Sequence, residues 1–171
     1  MGDSIHLYLV RHAIAEERGP KWPDDTKRPL STEGKLRMET QVVGLEKLGV
    51  EIEEVLTSPL VRTRQTADIL AKGLSSRPRV TVFDALAPGH SAKEMMNALK
   101  EYSKRTHIAL VGHEPGIGDL SAALIGARTP ITFKKGGVGL VRVERLPPDA
   151  GSGALNWFLS PRILRQLASA R

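Results

Sequence analysis

Short apolar runs alternate along the chain with segments that repeat apolar residues at helical spacing. The apolar runs predict four strands, at Ile5 to Val10, Glu54 to Thr57, Arg79 to Phe83 and His107 to Gly112. The helical spacing predicts four helices, at Thr32 to Leu48, from Ser58-Pro59 to Leu74, at Ser91 to Tyr102 and from Ile117 to Ile125. Strands that alternate with helices indicate a mostly parallel sheet that is covered on both faces.

The last third of the chain follows a different pattern. Gly139 to Val143 and Ala154 to Leu159 are separated by a turn rich in proline and glycine, so they predict a β-hairpin. Ser160 and Pro161 are residue types preferred at the N-cap and first position of a helix, so a final helix is predicted to begin there. The predicted fold class is therefore α/β, with three layers and a mostly parallel central sheet of about six strands.

Length and composition add limits to this picture. A chain of 171 residues fits one domain, which we expect to span residues 1–171. No apolar stretch approaches the ~20 residues that a membrane-spanning helix needs, and the first six residues lack the features of a signal peptide. We therefore expect a cytoplasmic protein that does not associate with membranes, and we expect it to be a monomer.

Charge and cysteine content restrict the chemistry. The absence of cysteine excludes disulfides, thiolate nucleophiles and sulfur-ligated zinc. The net charge of +6 favours anionic partners, such as small phosphorylated substrates or phosphoproteins. Nucleic-acid binding would rest on the net charge and on the cluster Lys134, Lys135, Arg142 and Arg145 alone. Because aromatic residues make up only 4% of the chain, we expect no nucleic-acid partner.

Polar side chains follow three of the predicted strands at the point where each strand ends. Arg11 and His12 follow the first strand, Ser58 and Arg62 follow the second, and His113 follows the fourth. Open α/β sheets bind ligands outside the carboxyl ends of their strands, so these side chains are expected to converge. Arg62 also falls in the first turn of a helix, where free backbone N–H groups favour an anion. The sequence thus predicts an anion site at this edge of the sheet.

Six ordered motifs are distributed along nearly the whole chain, from residue 9 to residue 161. They are Leu-Val-Arg-His-Ala at 9–13, Arg-Pro-Leu-Ser-Thr-Glu-Gly at 28–34, Ser-Pro-Leu-Val-Arg-Thr-Arg-Gln-Thr-Ala at 58–67, Leu-Ala-Pro-Gly at 86–89, Val-Gly-His-Glu-Pro at 111–115 and Asn-Trp-Phe-Leu-Ser-Pro at 156–161. The set resembles the histidine phosphatase superfamily, and most closely its short SixA-like phosphohistidine phosphatases. The resemblance implies a phosphoglycerate mutase-like fold. The sequence has no long insertion for a large helical cap, so we expect an open pocket.

The chemistry of phosphoryl transfer fits the candidate residues. A neutral imidazole is a good nucleophile, so His12 is the candidate to carry a phosphoryl group. Guanidinium groups match the equatorial oxygens of that group, so Arg11 and Arg62 would form a clamp. His113, protonated in the field of the phosphate, would donate to another oxygen. No metal and no cofactor are required, because the protein supplies the cations.

The remaining candidates depend more on the resemblance. Arg28 is expected to reach the pocket from the loop after the first strand, and Ser58 is expected to bind substrate. Ala13 stands where the familiar Arg-His-Gly signature has glycine, and it would be strained if the backbone there required a positive φ. The resemblance implies a general-acid carboxylate beyond the third strand in members that act on alkyl phosphates; there this sequence has only Asp84 and Glu94, and neither falls on a motif.

The leading hypothesis is a phosphatase that forms a phosphohistidine intermediate at His12 and acts on phosphohistidine in a signalling or phosphotransfer protein. An imidazole leaves more easily than an alkoxide, so this substrate reduces the need for a general acid. The alternatives are a phosphatase of phosphoserine, phosphothreonine or small phosphometabolites, and a phosphate-binding module without catalysis.

Overall fold

The computed structural model describes residues 4–170, which form six strands, five α-helices and three short 3-10 helices. The strands are β1 (Ile5–Arg11), β2 (Glu54–Thr57), β3 (Arg79–Val82), β4 (His107–Gly112), β5 (Val138–Val143) and β6 (Ala154–Leu159). The α-helices are α1 (Thr32–Lys47), α2 (Val61–Gly73), α3 (Ala92–Ala98), α4 (Gly116–Ile125) and α5 (Pro161–Ser169). The 3-10 helices are Asp25–Lys27, Asp84–Leu86 and Leu99–Tyr102.

All six strands join one sheet in the order β3-β2-β4-β1-β5-β6. The first four in this order are parallel, whereas β5 runs antiparallel to β1 and β6 runs antiparallel to β5. The predicted mostly parallel sheet and the C-terminal hairpin are thus confirmed. In the register, Arg11 pairs with Gly112 and Thr57 pairs with Val111, so β1, β4 and β2 end side by side. The residues that follow these three strands therefore start at the same edge of the sheet.

Helices cover both faces of the sheet, which gives the predicted three layers. Alternate residues of a strand point to opposite faces, and in β1 the side chains of Tyr8 and Val10 enter one core while Leu7 and Leu9 enter the other. The first core includes residues from α1, α2 and α5, and the second includes residues from α3 and α4. Between residues 74 and 91 the chain adds only β3 and one 3-10 helix, so these residues form no helical cap.

Most predicted boundaries agree with the structure, but the start of α2 was wrong. Ser58 was expected to cap this helix, which instead begins at Val61 with Leu60 at the N-cap and no side-chain cap. The hydroxyl of Ser58 is used elsewhere, because it lies 2.8 Å from Nε2 of His113. The predicted helix from Ser91 to Tyr102 divides into α3 and a 3-10 helix, with Ser91 in a capping box. No helix within residues 4–170 is long and apolar enough to cross a membrane.

Candidate active site

Four of the five residues that the sequence assigned to an anion site meet around one cavity. Arg11, at the end of β1, and His12, directly after it, line a cavity of about 520 Å³. His113, after β4, and Arg62, in the first turn of α2, line the same cavity, and Arg28 reaches it from the loop before α1. The parallel register of β1, β4 and β2 explains this convergence, since it aligns the ends of the strands.

The hydrogen bond of His12 determines which ring nitrogen is free. Nδ1 lies 2.7 Å from the carbonyl oxygen of Ala13, and only an N–H can pair with that acceptor. Burial lowers the pKa of His12 to about 4, and the nearby charges of Arg62 and Arg11 act in the same direction. The ring is therefore neutral near pH 7, with its proton on Nδ1 and its lone pair on Nε2. This is the form in which an imidazole acts as a nucleophile.

The second histidine faces the first. The ring centroids of His12 and His113 are 5.3 Å apart, and Nε2 of His113 lies 2.8 Å from the hydroxyl oxygen of Ser58. Burial lowers the pKa of His113 to about 3, and the interaction with His12 adds to this shift. His113 is therefore neutral in the free protein. Its predicted protonated form requires the negative charge of a bound anion, which would raise its pKa.

Asp25 holds two of the arginines. Its carboxylate accepts from Nε of Arg28 at 2.7 Å and pairs with Nη2 of Arg62 at 3.1 Å, and its backbone carbonyl accepts from Nη1 of Arg62 at 2.9 Å. The hydrogen bond from Arg28 and the nearby positive charges hold the pKa of Asp25 below its ordinary value. Both guanidinium groups are buried, so their positions are fixed by this single carboxylate and by nearby carbonyl groups.

Three nitrogens at this site lack a hydrogen-bond partner. Among the described residues, the buried side-chain nitrogen and oxygen atoms without a partner are Nε of Arg11, Nε of Arg62 and Nδ1 of His113. Buried polar groups are nearly always paired, so unpaired ones need an explanation. These three belong to the residues that the sequence assigned to anion binding. An oxyanion in the cavity is a suitable acceptor for the two guanidinium N–H groups, and for Nδ1 of His113 when that nitrogen carries the ring proton.

Comparison with known proteins identifies the family of this chain. Residues 7–87 match the family model described as the histidine phosphatase superfamily, branch 1. The chain is 37% identical to an uncharacterized protein of Picosynechococcus over 138 residues, which cover 78% of this chain and 82% of the relative. The chain belongs to the histidine phosphatase superfamily. It is also 26% identical to the phosphohistidine phosphatase SixA of Escherichia coli over 159 residues, which cover 92% of this chain and 94% of that protein.

Solved structures show which branch of the superfamily the chain resembles most. The structure of the protein histidine phosphatase SixA complexed with tungstate has a TM-score of 0.82 at 26% identity, covering 94% of this chain and 99% of that one. Phosphoglycerate mutase from Bacillus anthracis has a TM-score of 0.69 at 13% identity, covers 98% of each chain, and shows the shared fold alone. The chain is on the SixA-like branch of the histidine phosphatases. Membership in the superfamily supports a phosphatase that acts on phosphorylated substrates.

Ser58 lies behind the cavity of this histidine phosphatase. Its side chain is fully buried, and it does not line the cavity. The predicted role of Ser58 in substrate binding stays a prediction, and the structure gives its side chain no exposed surface in the cavity. Its hydroxyl contacts the ring of His113 instead, so Ser58 is placed to orient that histidine.

Ala13 is accommodated in this histidine phosphatase without strain. Among residues 4–170, Arg77 is the only residue other than glycine with a positive φ. Ala13 therefore has a negative φ, and its methyl group causes none of the strain that a side chain meets at positive φ. The backbone N–H of Ala13 donates to Oγ1 of Thr66 at 3.0 Å, and its carbonyl accepts from His12. Ala13 thus helps to fix the ring of His12.

The sequence did not identify several other residues of the cavity. Asp25, Glu114 and Lys135 line it, whereas the general-acid candidates Asp84 and Glu94 do not. Glu94 is instead the capping-box partner of Ser91. The spacing of Asp25 three residues before Arg28 is the one signal that indicates a pair at this site. Glu114 falls inside the motif at 111–115, directly after His113.

Proposed function

We propose that this protein removes the phosphoryl group from phosphohistidine on another protein, and that His12 carries that group between two steps. One observation supports this most strongly. Arg11, Arg62 and His113, each with a buried side-chain nitrogen that has no hydrogen-bond partner, line the cavity beside the neutral ring of His12. Donors that are fixed in advance stabilise the charge that develops on a transferred phosphoryl group.

In the first step, the lone pair on Nε2 of His12 attacks the phosphorus atom. A new nitrogen–phosphorus bond forms while the bond from phosphorus to the substrate imidazole breaks. The other ring nitrogen of the substrate imidazole has taken a proton from solvent beforehand, so the electron pair of the broken bond stays on the substrate ring, which leaves as neutral imidazole. Arg11 and Arg62 bind the phosphoryl oxygens. The carbonyl of Ala13 stabilises the positive charge that forms on the ring of His12, because it accepts from Nδ1.

In the second step, water attacks the same phosphorus atom. The bond between phosphorus and Nε2 of His12 breaks, its electron pair returns to the ring, and phosphate leaves with the added oxygen. The proton of the water is released to the product or to solvent. His113 hydrogen-bonds an oxygen of the phosphoryl group in both steps. The ring of His12 returns to the neutral form that its environment favours.

Phosphohistidine suits this site better than a phosphate ester. An imidazole can be protonated before it leaves, so the reaction does not need a strong general acid. The described residues form no helical cap, which leaves room for a side chain on the surface of another protein. The relatives named phosphohistidine phosphatase, and the one solved with the tetrahedral oxyanion tungstate, support the same substrate.

Phosphate monoesters are the second candidate substrates, because carboxylates line the cavity. Glu114 follows His113 directly, and its Oε1 accepts from the backbone N–H of Phe133 at 2.6 Å. A carboxylic acid at this position could protonate an alkoxide leaving group.

The test compares substrates on the same enzyme. We expect a phosphohistidine peptide to be hydrolysed with a kcat/KM at least about 100-fold above that of phosphoserine peptides and phosphosugars. The His12→Ala variant is the control for contaminating phosphatases, and its activity should be lost on every substrate. Faster hydrolysis of the esters would favour the second candidate. Undiminished activity of His12→Ala would rule out the proposed mechanism.

A further inference from the structure

A second cavity adjoins the active site. It has a volume of about 760 Å³ and lies between the N-terminal half of α1, the end of β1 and the first turn of α5. Arg11 and Lys135 line both this cavity and the active site. The two spaces are therefore neighbours, and one ligand can reach both. We call the second cavity, as lined by its fourteen residues, the basic groove. These residues are Arg11, Ala13, Ile14, Gly34, Arg37, Gln41, Lys134, Lys135, Ser160, Pro161, Arg162, Ile163, Arg165 and Gln166.

All charged residues that line the basic groove are positively charged. Six of its residues are cationic and none is a carboxylate. Arg37 pairs with Glu33 on the preceding turn of α1. Among the described residues, Lys134, Lys135 and Arg162 make no ion pair, and all three are exposed. Such a concentration of positive charge attracts an anionic partner.

Between the charges, the basic groove has an apolar surface. Ala13, Ile14, Pro161 and Ile163 contribute to it, and the side chain of Ile163 is 42% exposed. Such a groove fits a polypeptide with an apolar side chain for the apolar surface and neighbouring acidic side chains for the basic residues around it. No aromatic residue lines the groove, so it offers no stacking surface for nucleic-acid bases.

We propose that the basic groove docks an acidic segment of the phosphoprotein substrate, close to its phosphohistidine. This inference rests on the proposed function, since it places the two parts of one substrate in the two neighbouring cavities. Charge complementarity and the shared residues Arg11 and Lys135 support it. Docking at the groove would select among phosphoproteins, while the active site would perform the same reaction on each of them.

The test uses two synthetic phosphohistidine peptides that differ only in a flanking segment, which is rich in glutamate in one and rich in glutamine in the other. For the wild-type protein we expect the KM of the glutamate peptide to be about 10-fold lower, with a difference that shrinks at high salt. In a Lys134→Glu/Arg162→Glu variant the two KM values should become equal. Hydrolysis of phosphoramidate, which is too small to reach the groove, should change less than about twofold.

A matched control separates docking from a general effect of charge. The Lys72→Glu/Lys93→Glu variant changes the net charge by the same amount on exposed helix residues that do not line either cavity. It should keep the preference for the glutamate peptide. Equal KM values for both peptides on the wild-type protein would overturn the inference. A preference that survives in the groove variant would overturn it as well.

Binding is measured separately, so that failure of the proposed function can be distinguished. If neither phosphohistidine peptide is hydrolysed, the proposed function is wrong. The groove is then tested by the fluorescence anisotropy of the labelled, unphosphorylated glutamate peptide. Weaker binding to the groove variant than to the control variant would support the docking surface. Equal binding to both variants, or displacement by an oligonucleotide at lower concentration than by the unlabelled peptide, would contradict it.

Discussion

The carboxylate of Asp25 lies 3.1 Å from Nη2 of Arg62, and this pair joins the loop before α1 to the first turn of α2. Arg62 is buried, while the side chain of Asp25 is 43% exposed. The same carboxylate also accepts from Arg28. Asp25 thus determines where two cations point, although no sequence motif includes it.

Removal of the Asp25 carboxylate should weaken catalysis without unfolding the protein. We expect Asp25→Ala to lower kcat/KM for phosphoramidate about 10-fold, mainly through a higher KM, because Arg62 and Arg28 lose their common partner. The thermal midpoint should change little, since ion pairs at partly exposed carboxylates contribute roughly 0 to 1 kcal/mol. Asp25→Glu should restore part of the activity. Unchanged steady-state kinetics of Asp25→Ala would show that Asp25 does not position the arginines.

Ser58 should act through His113. In Ser58→Ala the ring of His113 loses the hydrogen bond at Nε2, so we expect kcat to fall about 10-fold as the ring becomes free to turn. Ser58→Thr keeps a hydroxyl and is the matched variant that should retain more activity. The relevant measurement is kcat on phosphoramidate, together with the chemical shifts of the His113 ring. An unchanged ring environment in Ser58→Ala would contradict this role.

Stability should depend on pH through the two buried histidines. In the folded protein the pKa of His12 is about 4 and that of His113 about 3, against an ordinary value of 6.5. Between pH 6.5 and pH 4 the unfolded chain therefore binds more protons than the folded one. The free energy of unfolding falls as the pH falls through this window, by up to about 2.7 kcal/mol per pH unit for two groups.

Urea unfolding at a series of pH values measures that slope. His113→Gln should reduce it by about half, because one of the two groups no longer titrates. His90 is exposed and lies outside the active-site cavity, so His90→Gln is the control for the loss of a histidine elsewhere on the protein. A slope that His113→Gln does not alter would show that His113 is not held neutral by burial.

Restoring glycine at position 13 should not improve the enzyme. Ala13 has no positive φ, and its methyl group is buried. Ala13→Gly therefore removes packing and adds freedom to the unfolded chain, and we expect it to lower the free energy of unfolding by about 1 kcal/mol. Because the backbone bonds to His12 and Thr66 remain, kcat should stay within about twofold. A large gain in kcat would mean that alanine constrains the site.

Regular patterns in the sequence predicted the fold well. The strands Glu54–Thr57 and His107–Gly112 have the predicted bounds, because each is a continuous buried run between polar residues. The final helix begins at Pro161 with Ser160 as its cap, as local preferences indicate. The same local rule failed at Ser58, whose hydroxyl contacts a histidine 55 positions away. A long-range hydrogen bond leaves no local signal.

The candidate site could be predicted only in part. Arg11, His12, Arg62 and His113 follow strand ends in the sequence, so the topology of the sheet brings them to one cavity. Asp25 begins a 3-10 helix in the mixed-charge segment between β1 and α1, which contains several carboxylates, and only the fold brings it to Arg62. The basic groove was also hidden, because its cations come from the end of β1, from α1, from the segment before β5 and from α5.

The central claim is that Nε2 of His12 carries the phosphoryl group. The most direct measurement is to mix the enzyme with a phosphohistidine peptide, stop the reaction within one turnover at alkaline pH, and locate the phosphoryl group by mass spectrometry. We predict that the label is on His12 and that it is absent from His12→Ala. A phosphoryl group on another residue, or full turnover by His12→Ala, would contradict the account.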